Sequence, residues 1–437
     1  MNFVTQSVGI LPRRAALRIL QRVRDGEPFE TALAGGVDRL PEPDRRLAHE
    51  LAAGVLRQRS TLDRQLARLV PRGWSTVRPE LQDILRLGAY QLTGLERIPA
   101  HAAVDTSVAL AKHAGGTRAA GFVNAVLRRL TRSTPESGDQ DLSDPSELAT
   151  TYSHPSWLVH RWIHAFGLEQ TEALLRWNNT RPQLVAQAAR EDLPALASRW
   201  EAFGIEVHPA PRGAGLMVDG VRAPELPGYE EGSFIIQDPA QAQLASFVDP
   251  PSGATIYDAC AAPGGKTIAL GRRSARIIAG EINPFRARRL AENLRRAGSG
   301  REHVVIADAR RPPVQLVDIV LLDAPCLGTG TFSRHPDARW RVSLQALGKI
   351  QRLQAQLLDS TAPVVAPGGL LVYSTCSLEG EENEGQVDAF LDRHPQFHRE
   401  KTTSIDQTLL SPKGDLMILP QLHGMDGAYA ARLRRGT

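Results

Sequence analysis

Three cysteines stand at positions 260, 326 and 376 of the 437-residue chain, and two of them sit where a nucleophile would. Leu322-Asp-Ala-Pro-Cys326 and Tyr373-Ser-Thr-Cys376-Ser377 each close a short apolar run that reads as a strand. In open α/β sheets, ligands bind beyond the carboxyl ends of the strands. A thiol there opens a route through a carbon that is otherwise a poor nucleophile. Carbon 5 of a pyrimidine becomes enamine-like once a thiolate adds at carbon 6. It can then take an electrophilic methyl group, after which the carbon 5 proton leaves and the thiolate is eliminated. A free Cys of pKa about 8.5 is mostly thiol at neutral pH, so the site must lower that value or remove the proton on binding. Asp323, three residues before Cys326, is placed to hydrogen-bond a cytosine ring edge and support protonation at ring nitrogen 3. An unpaired buried carboxylate is costly, so its partner is expected to be a substrate group or a backbone donor. The bland alternative is a pair of inert buried thiols, and residue types alone do not say which thiol would attack.

A donor site is legible beside them. Asp258-Ala-Cys260-Ala261-Ala262-Pro263-Gly264-Gly265-Lys266-Thr267 follows an expected strand, and two glycines in a strand-to-helix turn let a ligand approach the backbone. The phosphate-binding pattern G-x-x-x-x-G-K-[ST] fits only in its second half, because its first glycine would fall on Cys260. A nucleoside carried without phosphates fits better. Glu281 ends the next expected strand, where an acid can accept from both ribose hydroxyls, and Asp308 ends the one after, placed to meet an adenine amino group. Together these describe S-adenosylmethionine.

Elements must carry these groups. From about residue 240 the rhythm is strand, loop, helix: ATIYDAC, ARIIAGEI, HVVIADA, VDIVLLDAP and GGLLVYSTC alternate mostly with helical segments, the signature of a doubly wound, largely parallel sheet. Residues 12–132 read instead as amphipathic helices. Ala16, Ile19, Leu20 and Val23 share a face, as do Leu47, Leu51 and Val55, then Leu81, Ile84, Leu85 and Leu92, then Phe122, Val123, Val126, Leu127 and Leu130. The last helix shows a basic face of Arg128, Arg129 and Arg132, either a solvated surface or one that meets RNA. The expected division is a helical domain over 12–135, a Ser/Asp/Pro-rich linker over 136–148, a small α+β subdomain over 149–238 and a Rossmann-like catalytic domain over 239–437.

Composition bounds the rest. With 42% hydrophobic and 23% charged residues, the chain is neither disordered nor fibrous. Its net charge of +4 does not by itself announce nucleic acid. Only five of its 52 cations are Lys, which reflects a GC-rich genome or a use of guanidinium for phosphate contact. No apolar stretch approaches a membrane span, and the N-terminus lacks a secretory pattern. Sparse, odd cysteines without a C-x-x-C pair argue against disulfides and structural zinc. A cytoplasmic protein with free thiols is expected. Arg334, His335, Arg339 and Trp340, which follow Cys326, offer the cations and aromatic surface that unpaired RNA is read by.

DACAAPGGKT, LLDAPCLGTG, RHPDARW, YSTCSLEGEEN and DGAYAARL resemble the RNA 5-methylcytosine methyltransferases of the Sun/Nop2 family. LRLGAYQL, RIPAHAAVDTSV, GFVNAVLRRL, SHPSWLVHRW and QDPAQ resemble the bacterial branch that carries a NusB-like RNA-binding domain. The resemblance runs from about residue 12 to 435. It implies a NusB-like all-α domain, a small α+β subdomain and a Rossmann-like methyltransferase domain. It further implies S-adenosylmethionine held by Cys260 to Lys266 with Glu281, Asp308 and Asp323. Cys376 becomes the nucleophile, Cys326 the residue that aids product release, and Asp323 the group that activates cytosine. Glu281 departs from the family's usual Asp, and Gly380 stands where Pro is frequent. The expected partner is small-subunit rRNA, with no membrane and no metal, and the chain is expected to act as a monomer. The same chemistry on another rRNA or on tRNA, or a non-catalytic RNA-binding assembly factor, are the competing readings.

Overall fold

The computed structural model describes residues 9–133, 141–274 and 276–437. It forms two compact units. One holds the chain up to Thr180 together with Phe332–Arg341, and the other holds Arg181–Thr331 and Val342–Thr437. Among the described residues no helix is long and apolar enough to cross a membrane.

The first unit is helical. Its elements are α1 (Ile10–Arg24), α2 (Phe29–Val37), α3 (Glu42–Arg57), α4 (Arg59–Ala67), α5 (Pro79–Gly94), α6 (Ala100–Leu130, kinked at Gly115-Gly116), α7 (Pro145–Thr151), α8 (Ser156–Phe166) and α9 (Leu168–Asn178). The expected apolar stripes form its core: Ile19, Leu51, Ile84, Leu85, Val123 and Leu127 are fully buried, each worth about 1.5–3 kcal/mol of hydrophobic stabilisation.

The helical unit runs further than the sequence suggested. Residues 136–140 of the expected linker lie outside the described residues. Its remainder turns at once into α7, where the Asp144 carboxylate caps the Ser146 N–H at 3.1 Å and Pro145 takes the first helical position. That helix and the chain after it dock on α4. Ser60 N–H donates to Ser153 Oγ at 2.8 Å, and Thr61 Oγ1 donates to the carbonyls of Thr150 and Thr151. Residues 149–180, assigned from the sequence to the α+β subdomain, therefore pack with the helices.

The second unit holds two sheets. The smaller comprises β1 (Leu184–Ala188), β2 (Val207–Pro209), β3 (Leu216–Val218) and β4 (Phe234–Ile236) in the antiparallel order β2-β3-β1-β4. Helix α10 (Leu193–Ala202) lies over it, its Trp200 stacked edge-on to Phe234 at 5.0 Å. After α11 (Pro239–Val248), the larger sheet comprises β5 (Thr255–Asp258), β6 (Arg276–Glu281), β7 (Glu302–Ile306), β8 (Val317–Asp323), β9 (Val365–Thr375), β10 (Phe397–Arg399), β11 (Leu416–Ile418) and β12 (Ala428–Arg435). Its order is β10-β12-β9-β8-β5-β6-β7, with β11 beside β12. Strands β5 to β9 are mutually parallel and β12 runs against β9. Val320, Leu321 and Leu322 of β8 are wholly buried, because a central parallel strand has both faces covered and reads as a continuous apolar run. The chain reverses its direction of sheet growth between β5 and β8. That switch point opens a crevice above the carboxyl ends of both strands.

Candidate active site

Both thiol loops leave the sheet at this crevice. Cys326 follows β8, Cys376 follows β9, and their Sγ atoms lie 3.2 Å apart. Hydrogen bonding to Cys376, then burial, pushes the Cys326 thiol well above its ordinary value.

The two loops are stitched together under the sulfurs. Leu327 N–H donates to Glu382 Oε2 at 3.0 Å, and Ser377 Oγ donates to Glu382 Oε1 at 2.5 Å. Thr329 Oγ1 accepts from Leu378 N–H at 2.8 Å and lies 3.3 Å from Ser377 Oγ. Gly330 N–H donates to the Cys376 carbonyl at 3.0 Å, and Gly427 N–H donates to the Gly330 carbonyl at 2.8 Å. A side chain at position 330 would lie 2.7 Å from Gly427 Cα and 2.8 Å from the Cys376 carbonyl, so only glycine lets the loops approach this closely. Burial pushes the Glu382 carboxyl up, opposed by its bonds from Ser377, Leu327 and Gln354.

Asp323 is equally held. Asp323 Oδ2 accepts from Lys266 Nζ at 2.6 Å, and Oδ1 accepts from Ser374 Oγ at 2.9 Å. Burial works against the Lys266 charge, but Asp323 outweighs it, and the ammonium ends above its ordinary pKa. The sequence assigned Lys266 to the donor loop alone and gave Asp323 a substrate or backbone partner. The lysine in fact spans from the glycine loop to the thiol side.

The donor side is looser. After β5 the chain passes through a cis Ala262–Pro263 bond to Gly264 at φ +108°, and α12 (Gly265–Gly271) starts on the next residue. The left-handed turn favours glycine at 264, and a Cβ there would also meet the tip of Leu290 at 2.8 Å. Asp258 is buried beneath the loop. Thr267 Oγ1 donates to its Oδ2 at 2.7 Å, Oδ1 has no partner, and burial pushes its pKa up to about 7. Burial likewise pushes the Cys260 thiol up to about 12, which leaves it protonated and unsuited to attack. Glu281, at the end of β6, accepts Asn283 N–H at 2.9 Å on Oε1, while Oε2 lies 3.5 Å from Arg286. Asp308, just past β7, is gripped by Arg310 at 2.7–3.0 Å, which draws its pKa below the usual carboxylate range. Beside these acids stand three exposed apolar residues that the sequence did not single out. Ile282 follows Glu281, Ile306 pairs with it across β6 and β7, and Phe285 opens α13 (Pro284–Ala297). A glycine turn, successive strand-end acids and an uncovered apolar edge fit the amino-acid, ribose and adenine parts of S-adenosylmethionine.

One group of expected site residues needs correction. Arg339 is fully buried in the first unit. It donates to Asn179 Oδ1 at 2.7 Å and to the Asn178 carbonyl at 2.8 Å, and burial lowers its pKa to about 9. Trp340 gives its indole N–H to the Leu56 carbonyl at 2.9 Å and lies beneath the Arg59 guanidinium. The Arg339 side chain therefore clamps helix ends rather than offering a surface to RNA, whereas Trp340 is half-buried. Arg334 and His335 are only half-buried, with His335 Nδ1 3.8 Å from Glu30.

The sheet order and its crevice define a Rossmann-like methyltransferase of the S-adenosylmethionine-dependent class. A family model described as 16S rRNA methyltransferase RsmB/F matches residues 245–434, the NusB family matches 11–132, and an RsmF/B-like ferredoxin-like domain matches 154–220. The chain is 34% identical to the probable ribosomal RNA small subunit methyltransferase B of Synechocystis sp., over 98% of this chain and all of that one. It is 32% identical to the protein of the same description in Bacillus subtilis, over 97% and 98% of the two. Among solved structures, that of PH0851 superposes with a TM-score of 0.81 at 25% identity, covering 99% of this chain and 100% of that one. A methyltransferase homolog from Pyrococcus horikoshii superposes at 0.57 and 25% identity, covering 67% of this chain and 99% of its own. The chain belongs to the RsmB/F family of 16S rRNA methyltransferases, with an N-terminal NusB-family domain.

Proposed function

We propose that this protein methylates carbon 5 of a cytosine in 16S rRNA through a covalent adduct on Cys376. The observation that carries this reading is the thiol pair 3.2 Å apart beside the Lys266–Asp323 pair. Cys376 adds to carbon 6. A C–S bond forms, the carbon 5–carbon 6 double bond opens, and the thiol proton passes to ring nitrogen 3 by way of Asp323. Lys266 and Ser374 fix the Asp323 carboxylate, while each oxygen keeps a lone pair for the base. S-adenosylmethionine, held by residues 260–266 with Glu281 and Asp308, supplies an electrophilic methyl group. For release, Cys326 gives its proton to the Cys376 sulfur as the C–S bond breaks and takes the proton leaving carbon 5. Nitrogen 3 returns its proton through Asp323, and the aromatic ring is restored. A base within paired or stacked RNA must first be turned out to reach the sulfurs.

The relatives named as small-subunit rRNA methyltransferases support this choice of RNA. Bisulfite mapping of rRNA from a strain lacking the protein tests it. One 16S cytosine is expected to lose its methyl group and to regain it when purified protein, S-adenosylmethionine and RNA are combined. An unchanged 16S map with a loss in tRNA would move the substrate elsewhere.

A further inference from the structure

Glu382 lies in the Cys376 loop, six residues after that thiol, and one of its carboxylate oxygens binds the residue after Cys326 while the other binds the residue after Cys376. Leu327 N–H reaches Oε2 at 3.0 Å, and Ser377 Oγ reaches Oε1 at 2.5 Å. Gln354 of α14 (Leu344–Thr361) donates from one Nε2 both to Glu382 Oε2 at 2.9 Å and to the Pro325 carbonyl at 3.0 Å. The Glu382 carbonyl accepts from Tyr373 OH at 2.7 Å, two residues before Thr375. Its neighbour Asn383 accepts from Thr375 Oγ1 at 2.5 Å and donates to the Ser377 carbonyl at 2.9 Å. The side chain is fully buried. Burying a carboxylate is costly, and a purely structural link between two loops could use neutral groups. A carboxylate is the side chain that accepts from three converging donors without offering one in return.

We infer that Glu382 is a positioning residue that sets the spacing of the Cys326 and Cys376 sulfurs, and that through this spacing it governs release of the methylated product. The inference rests on the proposed covalent route. Adduct formation needs one sulfur. Release, which hands a proton between sulfurs, needs both at a fixed separation. In Glu382→Gln an amide group must face one of the donors, and the grip on one loop is lost while side-chain volume is kept. Ser377→Ala frees Oε1 alone and leaves the charge in place.

Two measurements on the full-length protein test this. The first is capture by phenylarsine oxide, which bridges two adjacent thiols and needs no RNA. Both variants are expected to bind it about tenfold more weakly than the parent. The second is single-turnover methylation, in which adduct formation is expected to stay within about threefold and release to slow about tenfold or more, so that protein-linked RNA builds up. A loss confined to stability, with arsenical capture and the ratio of release to adduct formation unchanged, overturns the inference. So does equal slowing of both steps. If Glu382→Gln does not fold, Ser377→Ala decides. If the parent forms no methylcytosine, the proposed function fails, while arsenical capture still decides whether Glu382 spaces the thiols.

Discussion

The two sides of the crevice are built differently. Around the thiols, Asp323 has both oxygens bound, Glu382 accepts three hydrogen bonds, and two glycines bring the loops into backbone contact. Around the donor loop, one oxygen of buried Asp258 has no partner, Arg310 is half-exposed where it grips Asp308, and Ile282, Phe285 and Ile306 face solvent. Covalent chemistry needs its groups fixed before the substrate arrives, since misplacement is paid in the barrier. A donor that must enter and leave in every cycle can itself complete a cradle. On the proposed covalent route, the protein is preorganised where bonds would form to its own atoms, and left open where a diffusible molecule supplies the missing surface.

Substitutions test that contrast, and their effects should shrink from the fixed side to the open one. Cys376→Ala should lower methyl transfer about a thousandfold or more, because the proposed adduct forms on its sulfur. Cys326→Ala should lower turnover about a hundredfold while RNA-linked protein accumulates, as read by denaturing gel. Normal turnover in that variant would make Cys326 structural. On the open side, Glu281→Ala should weaken S-adenosylmethionine binding about tenfold to thirtyfold by calorimetry, or about 1.4–2 kcal/mol, with thermal stability little changed. An unchanged affinity would remove Glu281 from the donor site.

Asp258 gives the most pH-dependent effect. Its pKa is about 7 in the fold against an ordinary value of 3.8, so the folded state holds the proton more tightly than the unfolded chain. Wild-type stability from this group is complete below about pH 4, declines as the pH rises to about 7, and is level beyond that. Asp258→Asn has no proton to lose. Compared with wild type it should therefore gain on the order of 1–3 kcal/mol between pH 4 and pH 8 in urea unfolding. An equal difference at both pH values would mean that Asp258 ionises freely in the fold.

Legibility in the sequence followed locality. Cys326, Cys376, Glu281 and Asp308 could be placed because each lies within a few residues of an apolar run whose end marks the crevice. The helical core was legible for the same reason, as period and burial are both local. Lys266 on Asp323 and Glu382 on Leu327 could not be read, because the partners are 57 and 55 residues apart and meet only once β5, β8 and β9 are aligned. Arg339 was misread because a cation beside an aromatic ring looks the same whether it grips RNA or a helix end. Around residue 148 the sequence is ambiguous, because Ser, Asp and Pro make both linkers and helix starts. Asp144-Pro145 proved to be a cap and a first turn.

The central claim is that Cys376 carries the adduct. Peptide mapping by mass spectrometry of the Cys326→Ala protein, after incubation with 16S rRNA and S-adenosylmethionine, tests it most directly. A methylated nucleotide attached to the peptide containing residue 376 is the result expected. Attachment at residue 260, or efficient methylation by Cys376→Ala with the nucleotide on residue 326, would contradict the account.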